Sequence, residues 1–122
     1  MRPKAKVWLE REDGSYLMGP GVMRLLRAVA QAGSLKAGAK RVGMSYRKAW
    51  AQLKEAEATL GFPLLQRHSG GEGGGGSALT PEALDFLERC EHFQEGVRQD
   101  LEARFREAFA DWEPTRKGGF LS

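Results

Sequence analysis

Between residues 22 and 61 the chain is divided into three short amphipathic stretches, each ending on a glycine: Gly33, Gly43 and Gly61. After two of these breaks comes a serine, Ser34 directly and Ser45 two residues on. A serine there can accept a bond from a backbone N–H in the first turn of a new helix. Glycine suits the left-handed residue that closes the previous one. In the first stretch Val22, Leu25, Leu26, Val29 and Ala30 recur at helical spacing, which predicts a helix over 22–32. In the second, Leu35, Ala39 and Val42 predict a short helix over 35–42. In the third, Tyr46, Ala49, Trp50, Leu53, Ala56 and Leu60 form one stripe, so a helix runs from Tyr46 to about Leu60. Ala37 and Ala39 are small enough for close helix approach, and Val42 and Trp50 are expected to close the core behind the turn.

The flanks complete the pattern. Val7 and Trp8 favour a strand within 4–11, Glu12-Asp13-Gly14-Ser15 is a turn, and Tyr16-Leu17-Met18 can return as a second strand. Beyond Gly61 and Pro63, an extended run reaches Gln66-Arg67-His68 and then a glycine-rich segment, Ser69 to Ser77. Glycine costs too much backbone entropy for that segment to form a helix or a core, so it is expected to be a hairpin tip, with Ala78-Leu79 as the return strand. Thr80-Pro81-Glu82 combines a capping hydroxyl, proline at the first helical position and an acid near the positive helix end. The helix it opens carries Leu84, Leu87, Cys90, Phe93, Val97, Leu101, Phe105, Phe109 and Trp112 in steps of three or four, until Pro114.

The fold class expected is mainly α with small β: a winged helix-turn-helix with an N-terminal β-hairpin and a long C-terminal dimerisation helix. Residues 1–80 form the winged unit, 81–113 the dimerisation helix and 114–122 a disordered tail. The apolar stripe of that helix is too long for so small a unit to cover, so Leu87, Cys90, Phe93, Val97, Leu101, Phe105 and Phe109 are expected to meet a second copy.

Charge is divided unevenly. Residues 1–80 carry 13 Lys and Arg against 6 Asp and Glu, and residues 81–122 carry 6 against 10. The basic part is the side expected to meet a polyanion. A single cysteine excludes an internal disulfide, and two distant histidines lack zinc-site spacing. No apolar run approaches the about 20 residues of a membrane span, and a cytoplasmic place is expected. The glycine run lacks the Gly-Lys-Ser/Thr ending of a nucleotide phosphate loop. With no paired nucleophile and base, no enzyme, cofactor or metal site is expected.

In a helix-turn-helix the second helix enters the major groove of duplex DNA. The helical wheel leaves Arg47, Lys48, Ala51, Gln52 and Glu55 opposite the stripe, with Lys54 at its margin. Arg and Lys can bind guanine and Gln can pair with adenine, so Arg47, Lys48 and Gln52 are the candidate base readers. Ser34, Lys36, Lys40 and Ser45 are candidate phosphate contacts, and Arg67 and His68 stand at the base of the wing. A module that binds a partner regulator through the acidic helix is the competing expectation.

Several strings resemble the N-terminal domain of ModE-type molybdate-responsive regulators: Gly33-Ser34-Leu35 with Gly38-Ala39-Lys40, Gly43-Met44-Ser45-Tyr46-Arg47-Lys48-Ala49-Trp50, and Arg67 through Thr80 with its glycines. A weaker resemblance, through Leu60-Gly61, Leu64-Leu65, Arg67 and Leu79-Thr80-Pro81, extends to LysR-type domains. The ModE resemblance implies a dimeric winged helix on operator DNA, with Ser45, Tyr46, Arg47 and Lys48 as contacts and Arg67 assisting. Members of that family carry C-terminal molybdate-binding domains, which would follow near residue 120, so the molybdate function is not carried over. A separate effector-sensing protein is an expected partner.

Overall fold

The computed structural model describes residues 1–68 and 76–114. The element order is β1 (Leu9–Glu10), β2 (Tyr16–Met18), α1 (Pro20–Ala32), α2 (Leu35–Arg41), α3 (Tyr46–Leu60), β3 (Leu65–His68), β4 (Gly76–Leu79) and α4 (Pro81–Ala108). Helices dominate, and the strands form two antiparallel pairs, β1 with β2 and β3 with β4.

The caps form as their residue types predict. Ser34 Oγ accepts from the Ala37 N–H at 3.0 Å, Ser45 Oγ from Lys48 at 3.1 Å, and Thr80 Oγ1 from Ala83 at 3.1 Å. Gly33 and Gly61 close α1 and α3 in the left-handed region, at φ 86° and 88°. Helix α1 starts at Pro20, two residues earlier than expected, because Pro at the first position needs no N–H partner. Helix α4 stops at Ala108 rather than near Trp112. Strand β4 starts at Gly76, so two residues expected in the hairpin tip lie in the ladder, where Arg67 pairs with Ser77 and His68 with Gly76. The Ser77 N–H also donates to the Gly33 carbonyl, tying the wing to the end of α1. The rest of the expected tip and the tail from residue 115 lie outside the described residues.

One core joins all the helices: Met18, Leu25, Leu26, Val29, Ala39, Ala49, Leu53, Leu64, Ala83 and Leu87 are each within 2% of full burial. Helix α2 meets α1 at Gly38, where a Cβ would stand 2.8 Å from the Val29 backbone nitrogen. The closest approach is thus at Gly38, with Ala39 beside it buried in the core as expected and Ala37 only partly covered. On α1, Ala30 is exposed while Met23 and Ala28 are buried, so the buried arc is centred differently from the expected stripe.

The start of α4 belongs to this core, which extends past the expected boundary at residue 80. Leu87 and Cys90 are buried inside the chain, which corrects their expected place on a surface for a second copy. Leu84 is turned outward, and Ala83 takes the inner position. Arg27 of α1 makes a two-bond ion pair with Glu91 of α4, at 3.0 and 2.6 Å. Among the described residues, no helix is long and apolar enough to cross a membrane.

Candidate nucleic-acid interface

Helix α3 rests on a narrow buried arc, Ala49, Leu53 and Ala56. The exposed side is therefore wide. It carries Tyr46, Arg47, Lys48, Trp50, Ala51, Lys54 and Glu55. Among the described residues, none of the ion pairs uses Arg47, Lys48 or Arg67. Lys36, Lys40 and Arg41 are exposed on α2, and Ser34 and Ser45 stand at the helix starts with their Oγ atoms occupied by caps. Arg67 is exposed on β3, and the side chain of His68 lies outside what is described.

Three expectations for α3 change, the first being Tyr46, placed on the apolar stripe and found 51% exposed. Trp50, expected in the core, is 49% exposed. It stands next to Ala49, and consecutive helical residues lie about 100° apart. That places it at the edge of the exposed side, where Lys54 Nζ sits 5.6 Å from its ring centroid. Gln52, expected to face outward, is half-buried on the opposite edge. Among the described residues its buried Oε1 has no hydrogen-bond partner, and it stands beside a cleft of about 370 Å³ that Tyr16, Val22, Met44 and Lys48 also line. Gln52 therefore faces the β1–β2 hairpin and the start of α1.

The wing is held by a residue that periodicity did not single out. The Glu57 carboxylate accepts from the Leu64 N–H at 2.7 Å and the Leu65 N–H at 3.4 Å, and it pairs with Lys54 at 3.3 Å. Buried Thr80 acts from the other end of the hairpin, donating to the Pro63 carbonyl at 2.7 Å while capping α4. Arg11, in the turn after β1, donates to the Thr59 carbonyl near the end of α3. The scaffold thus braces the C-terminal half of α3 and leaves its first turns open.

The model of bacterial regulatory helix-turn-helix proteins of the lysR family matches residues 21–84, just over half of the chain. The chain belongs to that family. The match runs from the start of α1 through the wing into α4. The transcriptional regulator ModE of Haemophilus influenzae is 38% identical over 92 residues, covering 70% of this chain and 36% of that protein. The molybdenum transport protein ModE of Herbaspirillum seropedicae is 39% identical over 83 residues, covering 68% and 30%. This LysR-family chain therefore spans about a third of the length of the curated relatives it matches. The crystal structure of the CbnR_DBD–DNA complex superposes with a TM-score of 0.56 at 31% identity, over 72% of this chain and 94% of that one.

Proposed function

We propose that this LysR-family chain is a sequence-specific transcriptional regulator that binds duplex DNA, acting in the cytoplasm without catalysis. The observation that carries the reading is the open cationic side of α3: Arg47 and Lys48 are exposed in its first turn and enter none of the ion pairs among the described residues, and Arg67 is exposed on the wing strand β3. Arg47 and Lys48 reach base edges in the major groove. Lys36, Lys40 and the cap at Ser45 meet phosphates, and Arg67 meets the backbone flanking the site. Gln52 is dropped as a base reader, because its oxygen is buried. The DNA complex of the similar CbnR domain supports the docking mode.

The active form is a homodimer. About 42 Å of helix, at 1.5 Å per residue, carries α4 well past its own core; beyond Cys90, Phe93 is 48% exposed and Phe109, at its C-terminal cap, 42%. Phe93, Val97, Leu101, Phe105 and Phe109 form the ridge offered to a second copy. The N-terminal arm from Arg2 to Val7 flanks Val97 and Leu101 along the same helix. A separate effector-sensing protein remains a proposed partner.

The test is selection of binding sites from random duplex DNA, followed by titration at several salt concentrations. A palindromic site is expected, with affinity falling steeply as salt rises. Arg47→Ala should lose about 1–3 kcal/mol at the selected site and little on random DNA. If no site is selected and random duplex is not bound at low salt, the reading fails in favour of a protein-interaction module.

A further inference from the structure

Tyr46, Trp50 and Lys54 follow one another at four-residue steps and share one ridge of α3. Tyr46 is 51% exposed and Trp50 49%. Large aromatic rings turned to solvent on a short helix are costly without a partner. The core does not need Trp50, since Ala49, Leu53 and Ala56 fill the side of α3 that meets α1 and β2. The ridge ends on Lys54 and is bordered by exposed Arg47, and the Lys54 ammonium stands against the Trp50 ring. An apolar surface framed by cations fits a polyanion that offers an apolar group.

We propose that Trp50 is a base-reading residue that packs against the C5-methyl group of a thymine in the major groove, with Lys54 turning from Glu57 to the neighbouring phosphate. This assignment rests on the DNA-binding reading above. Indole offers a single N–H donor and no acceptor, so most of what Trp50 can read is apolar. The major-groove edge of duplex DNA displays donors, acceptors and one kind of apolar group, the thymine methyl. Ala51, the next residue on the exposed side, leaves room for the helix to approach the base edges.

The experiment begins with the site selected by the unaltered protein. Each thymine is then replaced in turn by uracil, which removes only the methyl group. Replacement at one position per half-site should weaken binding about fourfold, the worth of one buried methyl group. Trp50→Ala should bind the thymine and uracil forms alike and lose that thymine from its own selected site, whereas Trp50→Phe keeps a ring and a reduced preference. Circular dichroism and thermal melts confirm that both variants are folded; if Trp50→Ala does not fold, the uracil scan of Trp50→Phe decides alone. An unchanged selected site and an unchanged uracil penalty in the variants would overturn the Trp50 assignment and leave DNA binding standing. If the unaltered protein selects no site, DNA reading itself fails, and Trp50 with it.

Discussion

Gly38→Ala and Gly96→Ala are the same chemical change in two helices, and the structure predicts opposite signs. In the interior of a helix, alanine is favoured over glycine by about 0.8–1.0 kcal/mol. Part of that gain comes from restricting the unfolded chain, which both substitutions share. At Gly96 a Cβ would meet nothing within 4 Å, so the gain should appear in full. At Gly38 the same atom would stand 2.7 Å from Val29 Cγ2, 2.8 Å from its backbone nitrogen and 2.9 Å from its Cα.

Non-bonded carbons settle at about 3.5–4.0 Å. The methyl of Val29 can rotate away, but its nitrogen and Cα belong to the backbone of α1 and move only with the helix. Val29 is itself fully buried, so moving α1 disturbs the core. Overpacking of this kind costs about 1–3 kcal/mol. Set against the helical gain, Gly38→Ala should lose up to about 2 kcal/mol. Each kcal/mol is worth several degrees in melting temperature for a chain of this size. Urea and thermal melts at one fixed protein concentration compare the two variants with the unaltered chain. Gly38→Ala at least as stable as the unaltered protein would show that the α1–α2 contact is looser than the structure has it.

Two further predictions concern single side chains. Glu57→Ala removes the acceptor for the Leu64 and Leu65 N–H groups and should cost about 1–3 kcal/mol; faster amide exchange at both residues in NMR checks it, and unchanged protection there refutes it. Burial pushes the Cys90 thiol above its ordinary value, so native protein at pH 8 should react with Ellman's reagent far more slowly than urea-unfolded protein. Because the unfolded chain releases this proton first, the thiol's contribution to stability is present below its ordinary range and is lost as pH rises through the raised value. Equal rates in native and unfolded protein would refute the burial.

What the sequence made legible was local. The caps at Ser34, Ser45 and Thr80 and the helix ends at Gly33 and Gly61 depend on neighbours within four residues, and all are found. Trp50 and Gln52 were misplaced for one reason. Periodicity identifies a stripe, but it does not fix how wide the buried arc is or where its centre falls. On α3 that arc holds two alanines and a leucine, so residues at either edge go wherever the neighbouring elements send them. Gln52 goes under the β1–β2 hairpin, and Trp50 goes to solvent. Leu84 is the same case on α4. Glu57 and Thr80 were illegible as wing supports because their bonds reach 7 and 17 residues along the chain. Their residue types fit a solvated helix face and a simple cap equally well.

These supports bear on how a reading helix could work here. Side chains hold base contacts well only when the backbone behind them is already fixed, since ordering it on binding costs affinity. The chain spends its long-range polar contacts accordingly. Glu57 joins the last turn of α3 to the wing, Arg11 joins that turn to the N-terminal hairpin, and Thr80 joins the wing to α4. Arg27 and Glu91 then lock α4 to α1. Helix α3 and the base of the wing are therefore held in one preset arrangement. The freedom left to it is in the exposed side chains of Tyr46, Arg47, Lys48 and Trp50, where selection among DNA sequences would have to be made. The Lys54 ammonium stands between the Trp50 ring and the Glu57 carboxylate, which joins this ridge to the residue that holds the wing.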